Sequence, residues 1–333
     1  MNIKPRTLLS APDNRPWAIG RYLKTALEQL DVPVCLFDFR EADDLGADLL
    51  ERIVAFKPDL HILFKGERFN KELLDRVREA GVPTVLWHHD VDPDLPPWLL
   101  EVAGASDYFF THARGMVDKF RKAGIPQTDW LSEGFPETFF AFDTITEDER
   151  YEFSCHATLV GNIHMNERYR LRAKMIDRVL AEGLRAKWWG PRISRKLKNW
   201  PLILSRAGRA YGGRMLANAD FAKAVNCADI FLARDVHPEV DGSVSNRLYW
   251  ACGSGAFYLT HYSEGIEEIM VPGKEIETFT TLDEMAEKIR FYLDHPKARQ
   301  QIARAGQKRV LKQYTFRHRF EEMFHRLREV GLV

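Results

Sequence analysis

Apolar positions along the chain switch repeatedly between two periods. RTLLS reads as a strand and WAIGRYLKTALEQL as a helix; PVCLFDF precedes LGADLLERIVAF, DLHILF precedes KELLDRVREAG, PTVLWHHD precedes PPWLLEVAG, and DYFFT precedes ARGMVDKFRKAG, before a last short run, TDWLS. Strand and helix periods in alternation predict a parallel sheet wound with helices on both faces. AGVPTV and AGIPQT place glycine and then proline where a helix must stop. Between about Gly134 and Tyr151 the pattern lapses in GFPETFFAFDTITEDERY, which reads as a linker. Alternation resumes with FSCHATLVG, ERYRLRAKMIDRVLAEG, RAKWWG, ANADFAKAVNCA, DIFLAR, SVSNRLYWACG and AFYLTH, and the chain closes on helical segments from LDEMAEKIRFYLDH onward. The expectation is an α/β chain of two parallel-sheet domains, residues 1–140 and 150–312, with a helical tail over 313–333.

A length of 333 residues agrees with two cores rather than one. Lys plus Arg and Asp plus Glu number 48 each, so no global field gathers nucleic acid or anionic lipid, and any anion site must be local. MNIKPRTLLSAPDNRP has no apolar core of signal-peptide length, and the longest apolar runs are strand-sized. Cys35, Cys155, Cys227 and Cys252 form no CxxC pair. A cytoplasmic chain with reduced thiols is expected.

In open parallel sheets ligands sit beyond the carboxyl ends of the strands, so two such domains set face to face would form a cleft. In the first domain the loop after RTLLS, APDNRPW, lacks the glycine pair of a dinucleotide fingerprint. The loop after TVLW carries His88, His89, Asp90 and Asp92. An imidazole beside a carboxylate suits a general base or a clamp on a sugar hydroxyl; the plainer alternative is a bonded loop with Asp90 capping the next helix. Adjacent histidines rarely aim at one ion, and no third metal ligand is evident.

In the second domain Gly161 and Asn162 form a turn after a strand, where backbone amides can point at a ligand. From Gly183 to Ala219 lie nine basic residues, Arg185, Lys187, Arg192, Arg195, Lys196, Lys198, Arg206, Arg209 and Arg214, and no acid. With Trp200, Leu202, Ile203 and Leu204 among them, this segment reads as an anion-binding or membrane-surface element, or as a solvated face. SVSNRLYWACGSGAFYLTHYSEG places a helix between two strands: Ser243 or Ser245 can cap it, its first-turn N–H groups can seat a phosphate, and Arg247 adds a fork of donors.

These residues resemble the group-1 glycosyltransferases of the GT-B fold, in particular the spore-maturation (CgeB-type) branch. VGN at 160–162, SNRLYWACGSGAFYLT, EGIEEIMVPGKEI and the segment from LDEMAEKIRF to TFRHRF carry the likeness in order over roughly residues 155–320, and KPDLHILFKG, TVLWHHD and DYFFT extend it more loosely into the first half. The resemblance implies two Rossmann-like domains, an acceptor domain first and a donor domain second, facing a cleft, with the last helix from about Thr315 bracing the first. It implies sugar transfer from a nucleotide sugar without a metal or other cofactor, because a helix N-terminus and basic side chains stabilise the departing diphosphate.

Asp90, His88 and His89 are the expected catalytic group. Gly161, Asn162, Arg192, Asp241, Ser243, Ser245, Asn246, Arg247, Gly265 and Glu267 are the expected donor contacts. Many relatives hold the ribose with a glutamate where this chain has Trp250 and place another carboxylate where it has Gly242. Indole only donates, so Trp250 reads as a packed aromatic, and Asp241, Glu267 or Glu268 would have to substitute. No paired carboxylates at interpretable spacing mark an inverting or a retaining mechanism. The acceptor is open among an anionic glycan, a lipid-linked glycan, a protein and a small molecule, with peripheral contact at the inner membrane face through 192–214 as a further expectation. An epimerase or hydrolase, or a non-catalytic binding protein, could use the same fold.

Overall fold

The computed structural model describes residues 4–333 apart from Pro16, Trp17, Met165, Asn166 and Arg195. Pro16 and Trp17 of the first strand-end loop, the tail of the loop after Gly161, and Arg195 of the basic segment therefore lie outside the described residues. Contacts divide the chain into two units. One comprises Met1–Pro136, Val240–Ser243 and Thr315–Val333; the other comprises Glu137–Glu239 and Val244–Tyr314.

The first unit holds a six-stranded sheet in the order β2-β1-β3-β4-β5-β6, with β1 Thr7–Ser10, β2 Val34–Phe37, β3 Leu60–Phe64, β4 Thr84–His88, β5 Tyr108–Thr111 and β6 Thr128–Trp130. Every pairing is parallel, with Leu8 set against Cys35 on one side and His61 on the other. LHILF and TVLWH are buried at every position, as strands covered on both faces must be. The flanking helices begin at side-chain caps: Asp44 accepts from the N–H of Gly46 and Ala47, and Asn70 from that of Leu73. The second unit holds five parallel strands in the order β11-β10-β9-β7-β8, with β7 Cys155–Val160, β8 Ala186–Trp189, β9 Ala228–Ala233, β10 Tyr258–His261 and β11 Glu277–Phe279. Each unit has a core of its own.

The stretch expected to be a structureless linker is partly helical. Glu137–Phe140 forms one turn, and Glu147–Phe153 forms a helix in which Thr146 and Glu149 bond reciprocally as a capping box. The acidic run TEDE is a helix start whose periodicity is too short to show.

The last helix, Phe316–Glu329, packs within the first unit. Trp87 is buried on β4 and meets the rings of Phe316 and Phe320 edge-on, with centroids 6.2 and 5.9 Å away. Arg319 donates to the Ser132 hydroxyl at 2.9 Å, and Arg326 pairs with Asp129. Gly134 is required here, since a Cβ would fall 2.6 Å from the backbone nitrogen of Phe316. Phe320→Ala should therefore lower the stability of this unit by about 3–5 kcal/mol in urea unfolding; a loss under about 1 kcal/mol would show that the helix is not part of its core.

Candidate functional site

Strand order reverses in the second sheet between β7 and β9, which places a crevice beyond their carboxyl ends. Gly161 follows β7 directly, with φ at +148°, a conformation that favours glycine. A Cβ there would sit 3.3 Å from a guanidinium nitrogen of Arg172 and 3.3 Å from one of Arg247, so two cations converge on one turn. Arg172 lies on the helix Glu167–Ala181 and is buried. Its Nη1 donates to the Asn162 carbonyl at 3.1 Å and its Nη2 to the Arg234 carbonyl at 2.7 Å, tying the ends of β7 and β9 together. Arg247 lies on the helix Asn246–Gly253, and its nearest carboxylate oxygen, on Asp235, is 3.9 Å away.

Burial, and then the Arg247 charge beside it, lower the Arg172 pKa to about 9, so Arg172 is charged at neutral pH but held against an opposing field. Asp235 is the buried carboxylate of this cluster; its Oδ1 accepts from the Ser245 N–H at 3.0 Å and its Oδ2 has no hydrogen-bond partner. A third cation, Arg234, has its pKa lowered by burial, against the pull of Asp235. Two guanidinium forks with one shared carboxylate leave net positive charge beside a glycine turn, an arrangement that an anion relieves.

The other expected donor residues are distributed more widely. Ser245 precedes the helix Asn246–Gly253, but its side chain makes no capping bond, and Asp235 serves the helix start instead. Asn246 opens that helix. Ser243 and Asp241 lie in the short stretch Val240–Ser243, which belongs to the first unit. Asp241 gives both carboxylate oxygens to Arg114, each at 2.6 Å, and its carbonyl accepts from Gly115. Gly265 starts the turn Ile266–Ile269, and Glu267 accepts from the Tyr262 hydroxyl. Arg192 is exposed and lies near Tyr211. Trp250 packs against Phe140 and Phe221, with ring centroids 5.3 and 6.1 Å away, as a core aromatic does.

In the first unit the titratable side chains gather beyond β3, β4, β5 and β6. His88 spends both ring nitrogens, one on the Lys65 carbonyl at 2.8 Å and the other on Asp92 at 3.0 Å. That leaves it no lone pair or proton for a substrate. Asp90 does not cap the next helix, which begins at Pro97 behind Pro96; it pairs with Lys65 at 3.0 Å. Burial would raise the Asp90 pKa, but the Lys65 ammonium paired with it holds it well below the carboxylate range, which makes it a weak base. His89 is different: burial lowers its pKa well below 6.5, so the ring is neutral, with Nδ1 3.4 Å from Glu133 and Nε2 3.5 Å from Asp90. Among the described residues no group of three or more His, Cys, Asp or Glu side chains is arranged to hold a metal ion.

Arg172 and Glu133 are additions to the expected set. Arg172 shares a helix face with Met175, Ile176 and Val179, all buried. A charge inside an apolar stripe is the sequence signal that marks it. Glu133 stands just after β6 in LSEGF, where only the topology brings it to His89.

A family model described as glycosyl transferase-like matches residues 168–325, a span that includes Arg172, Asp235 and Arg247. The chain is 21% identical to the spore protein CgeB of Bacillus subtilis (strain 168) over 290 residues, 84% of this chain and 86% of that protein. Anabaena Alr3699/HepE in complex with UDP-glucose superposes with a TM-score of 0.69 at 14% identity, over 98% of this chain and 100% of the other. The fold is GT-B. Sucrose-phosphate synthase (tll1590) from Thermosynechococcus elongatus shares the GT-B likeness, with a TM-score of 0.68 at 12% identity, over 99% and 100% of the two chains.

Because Arg247 meets Arg172 with little compensation, Arg247→Ala should leave the ligand-free melting temperature unchanged or raise stability by up to about 1 kcal/mol. A marked fall in thermal unfolding would instead make Arg247 a structural partner of Asp235.

Proposed function

We propose that the chain is a glycosyltransferase that moves a sugar from a nucleotide diphosphate donor to an acceptor hydroxyl. The observation that carries this reading is the convergence of Arg172 and Arg247 on Gly161 at the switch point of the second sheet. When the bond from the anomeric carbon to the diphosphate breaks, negative charge grows on the leaving oxygen. Two preorganised guanidinium groups stabilise that charge, the task a metal performs elsewhere. The UDP and UDP-glucose complexes of Alr3699/HepE make a uridine diphosphate sugar the first donor to try. Asp235, with its unpartnered Oδ2, supplies an acceptor for a donor hydroxyl.

His89 is the proposed general base in the first unit, taking the acceptor hydroxyl proton, and Glu133 is its positioning residue. Burial keeps the ring unprotonated below pH 6.5. Because the His89 pKa is depressed, the active neutral form persists as pH falls through 6.5 and is lost only well below it. His89→Gln should lower transfer from UDP-glucose by about 10²–10⁴-fold with UDP affinity unchanged. The wild-type pH profile should stay flat through pH 6.5. Equal loss of UDP binding and turnover would remove His89 from the chemistry, and donor cleavage that no acceptor alters would point to a hydrolase or epimerase.

A further inference from the structure

Most of the basic segment does not gather at the Gly161 turn. Arg185, Lys187, Arg206 and Arg209 of this segment lie instead at the other end of the second sheet, where an open pocket of about 1080 Å³ sits against the amino ends of β7 and β8. With about 3.3 Å of rise per residue, the length of β7 separates this pocket from the Gly161 turn by roughly 20 Å. Arg150, Arg185, Lys187, Arg206 and Arg209 line it, against one acid, Glu147. Arg150, Arg185, Arg206 and Arg209 make no ion pair among the described residues, and the Lys187 ammonium is held by the carbonyls of Tyr151 and Glu152. Arg214, from the same segment, is by contrast neutralised by Glu152 and Asp220.

The pocket wall is built rather than loose. Arg206 and Arg209 share one turn of helix whose Ala207 N–H donates to Asp177 at 2.7 Å. The Trp188 indole donates to the Ala207 carbonyl at 2.7 Å, the Trp188 N–H to the Ala210 carbonyl at 3.0 Å, and the Trp188 and Tyr211 rings stack at 4.4 Å. Rigid elements thus hold four unpaired guanidinium groups from separate stretches around one opening. Tyr151, 88% exposed, and Leu184 add apolar surface to the same lining. Concentrating cations in this way is unfavourable in the free protein and becomes favourable when several anionic oxygens enter, guanidinium forks being suited to phosphate.

We propose that this pocket is a second anion site, separate from the donor seat, for a ligand that carries phosphate groups, whether a lipid headgroup or a soluble phosphorylated compound. The inference does not rest on sugar transfer. The test is titration of inorganic tripolyphosphate, in wild type and in an Arg247→Ala background that takes one of the two guanidinium groups from the Gly161 seat, alongside sedimentation with phosphatidylglycerol/phosphatidylcholine vesicles and with pure phosphatidylcholine vesicles. Arg206→Gln with Arg209→Gln is the main variant, and Arg185→Gln is the second in case the first fails to fold.

Tripolyphosphate binding in both backgrounds, weakened at least about tenfold by the pocket variants with UDP affinity unchanged, would support the site and a soluble source. Sedimentation only with the phosphatidylglycerol vesicles, lost in the same variants, would support it with a lipid source. Binding of neither probe, or equal binding by wild type and folded pocket variants, would overturn it.

Discussion

Two guanidinium groups beside one glycine form the constraint around which the second unit is organised. Arg172 ties the carbonyls that follow β7 and β9 and so fixes the crevice between them, while Arg247 arrives from the helix Asn246–Gly253. With Asp235 as the carboxylate in reach, the cluster carries more positive charge than its surroundings neutralise. Such a cluster persists because the sheet, the helix Glu167–Ala181 and the turn at Gly161 hold it in place, and on the proposed function a bound diphosphate would offset its cost. The neighbouring aromatic packing of Trp250 with Phe140 and Phe221 anchors the helix that presents Arg247.

The first unit solves a different problem with similar parts. Its strand ends hold a lysine, histidines and acids, but these are not equivalent. His88 is bonded on both sides and Asp90 is held ionised by Lys65, whereas His89 is kept neutral by burial, against Glu133. Three residues adjacent in sequence thus meet different partners: His88 and Asp90 both turn to Lys65 beyond β3, and His89 turns to Glu133 beyond β6. The proposed general base is accordingly His89.

Much of this was legible in the sequence, because alternation of period 2 and period 3.6 is enforced by burial on both faces of a parallel sheet. Of the cluster at Gly161, the turn and the helix that carries Arg247 were legible, because both stand in local contexts that announce a turn and a helix start. Arg172 was missed because a lone arginine in an amphipathic helix looks like surface, and only the buried register of Met175, Ile176 and Val179 reveals otherwise. Asp241 and Ser243 were expected as donor contacts because they lie next to the helix Asn246–Gly253 in sequence, and the partners of Asp241 are not readable there. The fold turns that stretch onto Arg114 and Gly115. The helix Glu147–Phe153 was hidden in an acidic run whose capping box, not its hydrophobicity, specifies it.

On the proposed function, the second unit grips the diphosphate more than the base. Calorimetric titration of UDP and of uridine against the same protein tests it directly. Two charge-assisted hydrogen bonds, worth about 3 kcal/mol together, predict UDP affinity on the order of 100-fold above that of uridine, with the difference shrinking as salt is raised. Equal affinities for the two ligands, or a difference that salt leaves untouched, would contradict an anion seat at Arg172 and Arg247.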